Sequence, residues 1–135
     1  MHAEPTHSGR TWTLRLDPGE DLLEGLQRAA TELGVQHGAF LGGIGSLTSY
    51  HVHVVSSTDL RPENAFIKGE GPFDILTITG HVMGGRVHAH LTFSNTELAM
   101  GGHLEEGCRV LTFAVVVMAE AVDVNLTGWD RSGPL

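Results

Sequence analysis

Only one stretch of this chain, residues 17–34, carries apolar residues at helical spacing, and the other apolar runs alternate or are short. That restricts the fold to sheet built around a single helix. Asp17-Pro18-Gly19-Glu20 offers an N-cap acid, a proline at the first helical position and a glutamate three residues after the cap. Leu22, Leu23, Leu26, Ala29, Ala30 and Leu33 follow on one face, and Gly34 is placed to terminate, which predicts an amphipathic helix of about fourteen residues. Before it, Thr11–Leu16 alternates, with Trp12, Leu14 and Leu16 on the buried face. After it, the glycine-rich segment 39–47 leads into strand patterns over Tyr50–Val55, Phe73–Val82, Arg86–Phe93, Leu98–Met100, Val110–Met118 and Val122–Leu126. A polar loop, Leu60–Asn64, contains Pro62. Roughly seven or eight short strands and one helix predict a single α+β domain with a mostly antiparallel sheet over residues 10–135, preceded by a flexible leader at 1–9.

Composition excludes several roles. The 135 residues suffice for a core without disulfide staples, and one cysteine, Cys108, permits no intrachain bridge, which favours a reducing compartment. The longest apolar run, 113–119, is too short to cross a bilayer, and the first residues lack the basic flank and apolar core of a signal peptide, so the expected location is the cytoplasm. Eight basic against sixteen acidic residues give a formal charge of −8, a field that opposes direct contact with nucleic-acid phosphates. Gly43-Ile44-Gly45 precedes a strand rather than a helix and lacks the spacing of a phosphate-cradling loop.

The chemistry concentrates in Val87-His88-Ala89-His90-Leu91 and Met100-Gly101-Gly102-His103-Leu104. On a strand, His88 and His90 point the same way, with Cα atoms roughly 6.5 Å apart. His103 follows a Gly-Gly pair that allows either close backbone approach or a sharp turn. Three imidazoles without a fourth protein ligand would leave a coordination position open, as catalytic zinc sites do. The same pattern also suits histidines on a solvated sheet face, and spacing alone leaves both readings open. His51 and His53 repeat the His-x-His pattern but lack a neighbouring Gly-Gly-His, so a solvated face is expected there. His81, on the preceding strand, is a candidate outer partner or proton carrier. Glu105 and Glu106 read as a solvated turn, Arg15 and Arg109 as surface cations able to guide an anion, and Trp129 as an anchor for the tail.

Taken in order, Trp12–Asp21, Gly42-Gly43-Ile44-Gly45-Ser46-Leu47, Asp74–Gly80, Val87-His88-Ala89-His90 and Gly101-Gly102-His103-Leu104 resemble the blocks of the PPC domain, conserved in plants and prokaryotes. The resemblance covers about residues 10–135. It implies a compact domain with a strongly bent antiparallel sheet packed on one main helix, assembled as a homotrimer. It also implies that His88, His90 and His103 are metal ligands. Imidazole suits zinc, copper, nickel or iron, with zinc the first expectation. In plants the domain follows a DNA-touching AT-hook, while stand-alone prokaryotic members are often described as DNA-binding proteins. No such hook is present here. Two departures stand out: Ala114-Val115-Val116 replaces a strand glutamate common in relatives, and Gly80-His81 replaces Gly-Asn. Asp74 stands where relatives often carry glutamate and joins His81 as a candidate outer partner.

Two functional classes remain open at this level. One is a trimeric, zinc-like metal-binding protein whose open site handles a small molecule, a small anion being one candidate. The other is a non-enzymatic module for DNA-associated or protein-assembly regulation, in which a partner brings the DNA.

Overall fold

The computed structural model describes residues 1–135. Its elements are β1 (His7–Leu16), α1 (Leu22–Glu32), β2 (His37–Val55), β3 (Asn64–Met83), β4 (Arg86–Ser94), β5 (Ala99–Leu104) and β6 (Val110–Val122). All strand pairings are antiparallel and form one sheet in the order β1-β6-β2-β3-β4-β5. β2 also pairs with β5, through Val52↔Leu104 and His53↔His103, which closes β2, β3, β4 and β5 into a ring.

The two longest strands, of 19 and 20 residues, absorb what the sequence suggested were shorter pieces. The N-terminal half of β2 pairs with β6, and its C-terminal half reaches β5, while β3 accompanies it throughout. Register slips at Phe40/Gly42, Gly45/Leu47 and Ile75/Thr77 let strands of this length curl, because a bulge bends its strand and increases the local twist. The predicted strand at Val122–Leu126 does not form beyond Val122, where β6 ends.

The helix is shorter than predicted, 11 residues, and its cap is Asp21 rather than Asp17. Asp17–Glu20 instead forms a turn, closed by the Glu20 N–H donating to the Asp17 carbonyl and the Asp17 N–H donating to Glu20 Oε2. The capping-box reach is present, but it closes a turn upstream of the helix. Asp21 is 3% exposed, accepts from the Glu24 N–H through Oδ1 and from the Gly107 N–H through Oδ2, and so ties the helix start to the β5–β6 connection. A helix this short cannot cover the sheet. Leu22, Leu26 and Ala30 pack beneath it, but Val52, Phe73, Ile75, Ile78, Leu91, Phe93 and Leu104 are also buried in the core cluster, which the ring of strands encloses. The expectation of a sheet packed on one main helix therefore overstates the helix. Sheet closure does much of the burying.

The β3–β4 connection sets the register on which the histidines depend. Met83 pairs with Arg86 across Gly84 and Gly85, whose φ angles of 63° and 76° define a two-residue hairpin turn of the kind that favours glycine at both positions. That register places His81 opposite His88 and Thr79 opposite His90. No helix is long and apolar enough to cross a membrane.

Candidate metal centre

His90 faces His103 across β4–β5, and His103 faces His53 across the closing β5–β2 pair. Directly opposed residues in antiparallel strands share a face, so Thr79, His90, His103 and His53 form one row across four neighbouring strands. His88 lies two residues from His90 on the same side. Their rings are 5.5 Å apart, and the His103 ring lies 4.5 Å from that of His88 and 5.3 Å from that of His90. One donor nitrogen from each of His88, His90 and His103 lies within 4.8 Å of the others. The ligand nitrogens of a tetrahedral zinc ion stand roughly 3.3 Å apart, so the three rings need only a small closure to bind one ion.

Gly101 and Gly102 make this approach possible. They lie inside β5 rather than in a turn, and a Cβ would stand 2.5 Å from the Leu91 carbonyl oxygen at Gly101 and 2.7 Å from the His53 carbonyl oxygen at Gly102. The Gly-Gly pair thus serves close packing of β5 between β4 and β2. Of the two roles left open by the sequence, it takes the first.

The C-terminal tail supplies a residue that the sequence did not single out. His37 Nδ1 accepts from the backbone N–H groups of both Gly84 and Leu126, each at 3.3 Å, pinning the tail to the β3–β4 turn. Asp130 then reaches the histidines. Its Oδ2 accepts from His88 Nδ1 at 3.2 Å and from Arg86 Nη2 at 2.7 Å, and its side chain is 7% exposed. Because a carboxylate only accepts, His88 carries a proton on Nδ1, which leaves Nε2 as the nitrogen that would face a metal, the arrangement common among histidine metal ligands. Burial opposes ionisation of Asp130, but the bonds from His88 and Arg86 together outweigh it and hold the carboxyl below its ordinary range.

Their surroundings bias His90 and His103 toward the neutral, coordinating form. Burial, followed by repulsion from His88 and His53, lowers the pKa of His90. Burial and then His88, His53 and His90 push His103 down to about 4, with Glu105 opposing. Imidazoles held neutral near pH 7 present lone pairs without first losing a proton.

His53 belongs to the same cluster, contrary to the solvated face expected for it. Its ring stacks on His103 at 4.3 Å, and its Nδ1–H donates to Glu105 Oε1 at 2.6 Å. His53, His103 and Glu105 form a second three-donor group sharing His103. The available signal was the repeated His-x-His itself; what the sequence lacked was the β2–β5 pairing that brings it to His103. His51 points its Nδ1–H at the Glu106 carbonyl, 2.7 Å away.

His81 is exposed and opposite His88 on β3, without a hydrogen bond to it. Asp74 lies opposite Ser46 and Ser94 and lines a different hollow with Glu70 and Glu97. The histidines line a cleft of about 970 Å³, together with Arg61, Asn64, Arg86 and Asp130. Arg15 is paired with Asp17, Arg109 donates to the Gly19 carbonyl, and neither lines this cleft.

A half-closed antiparallel sheet with one short helix and a histidine cluster at the seam of its ring defines the class: a compact α+β domain with a preformed set of nitrogen donors. The chain belongs to the Plants and Prokaryotes Conserved (PCC) domain family, whose profile matches residues 3–122. It is 32% identical over 124 residues to the bifunctional protein GlmU of a Synechococcus strain, an alignment covering 91% of this chain and 19% of that protein. The chain thus spans about a fifth of the length of the curated relatives it matches. Among solved structures, a plant- and prokaryote-conserved protein of Pyrococcus horikoshii superposes with a TM-score of 0.79 at 25% identity, over 93% of this chain and 87% of that one. A metal-containing protein of Archaeoglobus fulgidus superposes with a TM-score of 0.78 at 22% identity, over 90% and 86% of the two chains.

Proposed function

We propose that this protein is a homotrimeric metal-binding domain in which His88, His90 and His103 hold one divalent transition ion, zinc first, and leave a coordination position open to a small molecule. One observation carries the reading: three imidazoles from two strands converge while Asp130 fixes the tautomer of the first. Three nitrogen donors suit zinc, and a carboxylate behind a ligand histidine is the usual companion of such a site. When bound, such an ion supplies Lewis acidity toward a carbonyl or water oxygen. The chain's own groups orient around that position. Asp130 aims His88, Glu105 holds His53 at the edge of the cleft, and Arg86 balances the buried carboxylate. The metal found in the Archaeoglobus protein of the same fold is consistent with this assignment.

The trimer rests on the family resemblance and on an apolar surface. Leu41, Ile44 and Leu76 are 64%, 59% and 51% exposed, and Leu111 and Phe113 are each 38% exposed. Ile44, Leu111 and Phe113 border one hollow, an exposed apolar grouping of the kind that marks association surfaces. Further copies of this chain are the occupant we assign to it.

Elemental analysis of tag-free protein purified without added metal tests the site. Close to one transition metal per chain, lost in a folded His88→Ala/His90→Ala variant, is the expected result. A metal-free protein whose melting temperature ignores both added zinc and chelator overturns the reading. Sedimentation tests the trimer: three copies of the 14.5 kDa chain are expected, with Ile44→Glu/Phe113→Glu dissociating them. A monomeric parent refutes it.

A further inference from the structure

Arg61 stands in the histidine cleft without an acidic partner. Of the chain's eight basic residues, Arg10, Arg15, Arg28 and Arg86 each hold a carboxylate: Glu120, Asp17, Glu20 and Asp130 respectively. Arg61 pairs with none, yet it lines the same cleft as His88, His90 and His103. The only acid lining that cleft is Asp130, already shared between Arg86 and His88. Glu105, at the edge of the cleft, is engaged by His53, so Arg61 is the one arginine of the cleft whose guanidinium has no carboxylate partner, and a bound divalent ion would add further positive charge beside it.

Resting on the three-histidine reading, we propose that the cleft takes a small organic carboxylate bearing a hydroxyl or carbonyl oxygen. Its carboxylate pairs with the Arg61 guanidinium, and its second oxygen takes the coordination position that the histidines leave open. The planar fork of arginine matches a carboxylate with two parallel hydrogen bonds. Asn64 and Ser132 add neutral hydrogen-bonding groups to the wall, and Val54, Val55 and Pro62 supply an apolar side for a short hydrocarbon chain. Phosphate is the less suited anion. The single helix has its N-terminus capped by Asp21 and contributes no residue to the cleft, so no helix N-terminus is there to cradle a phosphate.

Isothermal titration of zinc-loaded protein with lactate tests this, with metal content measured on the same samples. The parent is expected to bind lactate, to bind propionate more weakly because it lacks the hydroxyl, and to ignore neutral methyl lactate. Arg61→Gln, at an exposed position, should keep the parent's melting temperature and metal content and weaken lactate binding by about tenfold or more. Arg61→Lys, which keeps the charge and loses the fork, should fall between. Lactate binding unchanged in Arg61→Gln, no detectable binding by the parent, or tighter binding of inorganic phosphate than of lactate overturns the proposal. Metal retained with lactate binding indifferent to Arg61 removes the carboxylate site and leaves the metal site intact. Lactate and propionate binding equally, through Arg61, to a protein that takes up no metal refutes the metal reading and, with it, the proposed use of the second oxygen.

Discussion

Asp130→Asn isolates what the buried carboxylate does for His88. The substitution preserves the shape of the side chain and removes its charge. In the native arrangement Oδ2 accepts from Arg86 at 2.7 Å and from His88 at 3.2 Å in a site where the carboxylate is 7% exposed. An amide oxygen still accepts from His88 Nδ1, so the ring stays aimed. What is lost is charge assistance, which about doubles the strength of such a bond; the loss is about 1–1.5 kcal/mol. If that difference appears in the coordinating strength of Nε2, metal affinity falls about tenfold. Asp130→Ala removes the acceptor and frees the ring to rotate, and should approach the roughly hundredfold loss seen when an outer partner of a ligand histidine is deleted. Arg86 is 71% exposed and can return to water, so neither variant should prevent folding. Competition for zinc against a chromophoric chelator near neutral pH gives the affinities, and thermal melting confirms that each variant folds. Asp74→Asn, in a separate hollow, is the control and should leave affinity unchanged. Equal affinities for the parent and a folded Asp130→Ala would refute the argument that the tail positions His88.

Other consequences concern stability. In metal-free protein His103 has a pKa of about 4 when folded, against an ordinary 6.5, so between those values the unfolded chain takes up the proton first and stability falls as pH drops. The full displacement corresponds to about 3 kcal/mol, and solvent screening at a half-buried site reduces it to about 1–2 kcal/mol. Urea midpoints should therefore decline from pH 6.5 toward pH 4 in the parent and decline less in His103→Gln; parallel curves would refute the assignment. Gly102→Ala forces a Cβ to within 2.7 Å of the His53 carbonyl oxygen across the seam of the ring. It should cost about 1–3 kcal/mol in chemical denaturation and reduce zinc uptake together with it; a stable variant with native uptake would show that the seam tolerates separation.

Strand character, the single helix and the three-histidine motif were legible from local pattern, because side-chain alternation and helical spacing are properties of neighbours in the chain. Trp12, Leu14 and Leu16 occupy the inward parity of β1, and Leu22, Leu26 and Ala30 the buried side of α1, as their spacing requires. The helix start was misplaced by one turn because Asp17-Pro18-Gly19-Glu20 and Asp21 both carry capping residues. Burial of Asp21 against the Gly107 N–H decided between them, and that contact spans 86 residues.

The site divides along the same line. His88 and His90 lie two residues apart, so a strand period alone puts them on one face; adding His103 rested on the family resemblance of Gly101-Gly102-His103-Leu104. His53 and Asp130 were invisible to that logic. His53 enters through the β2–β5 pairing that closes the ring, and Asp130 through a tail pinned by His37 to the β3–β4 turn. Arg61 likewise joins the cleft only because the β2–β3 connection lies beside the histidines. The sequence by itself determined strand character, the presence of one helix and the shared face of His88 and His90, since local sterics and side-chain period specify them. The tertiary structure decided which carboxylate orients His88, which histidine flanks the site and which unpaired cation lines the cleft, because each depends on contacts between residues far apart in the chain.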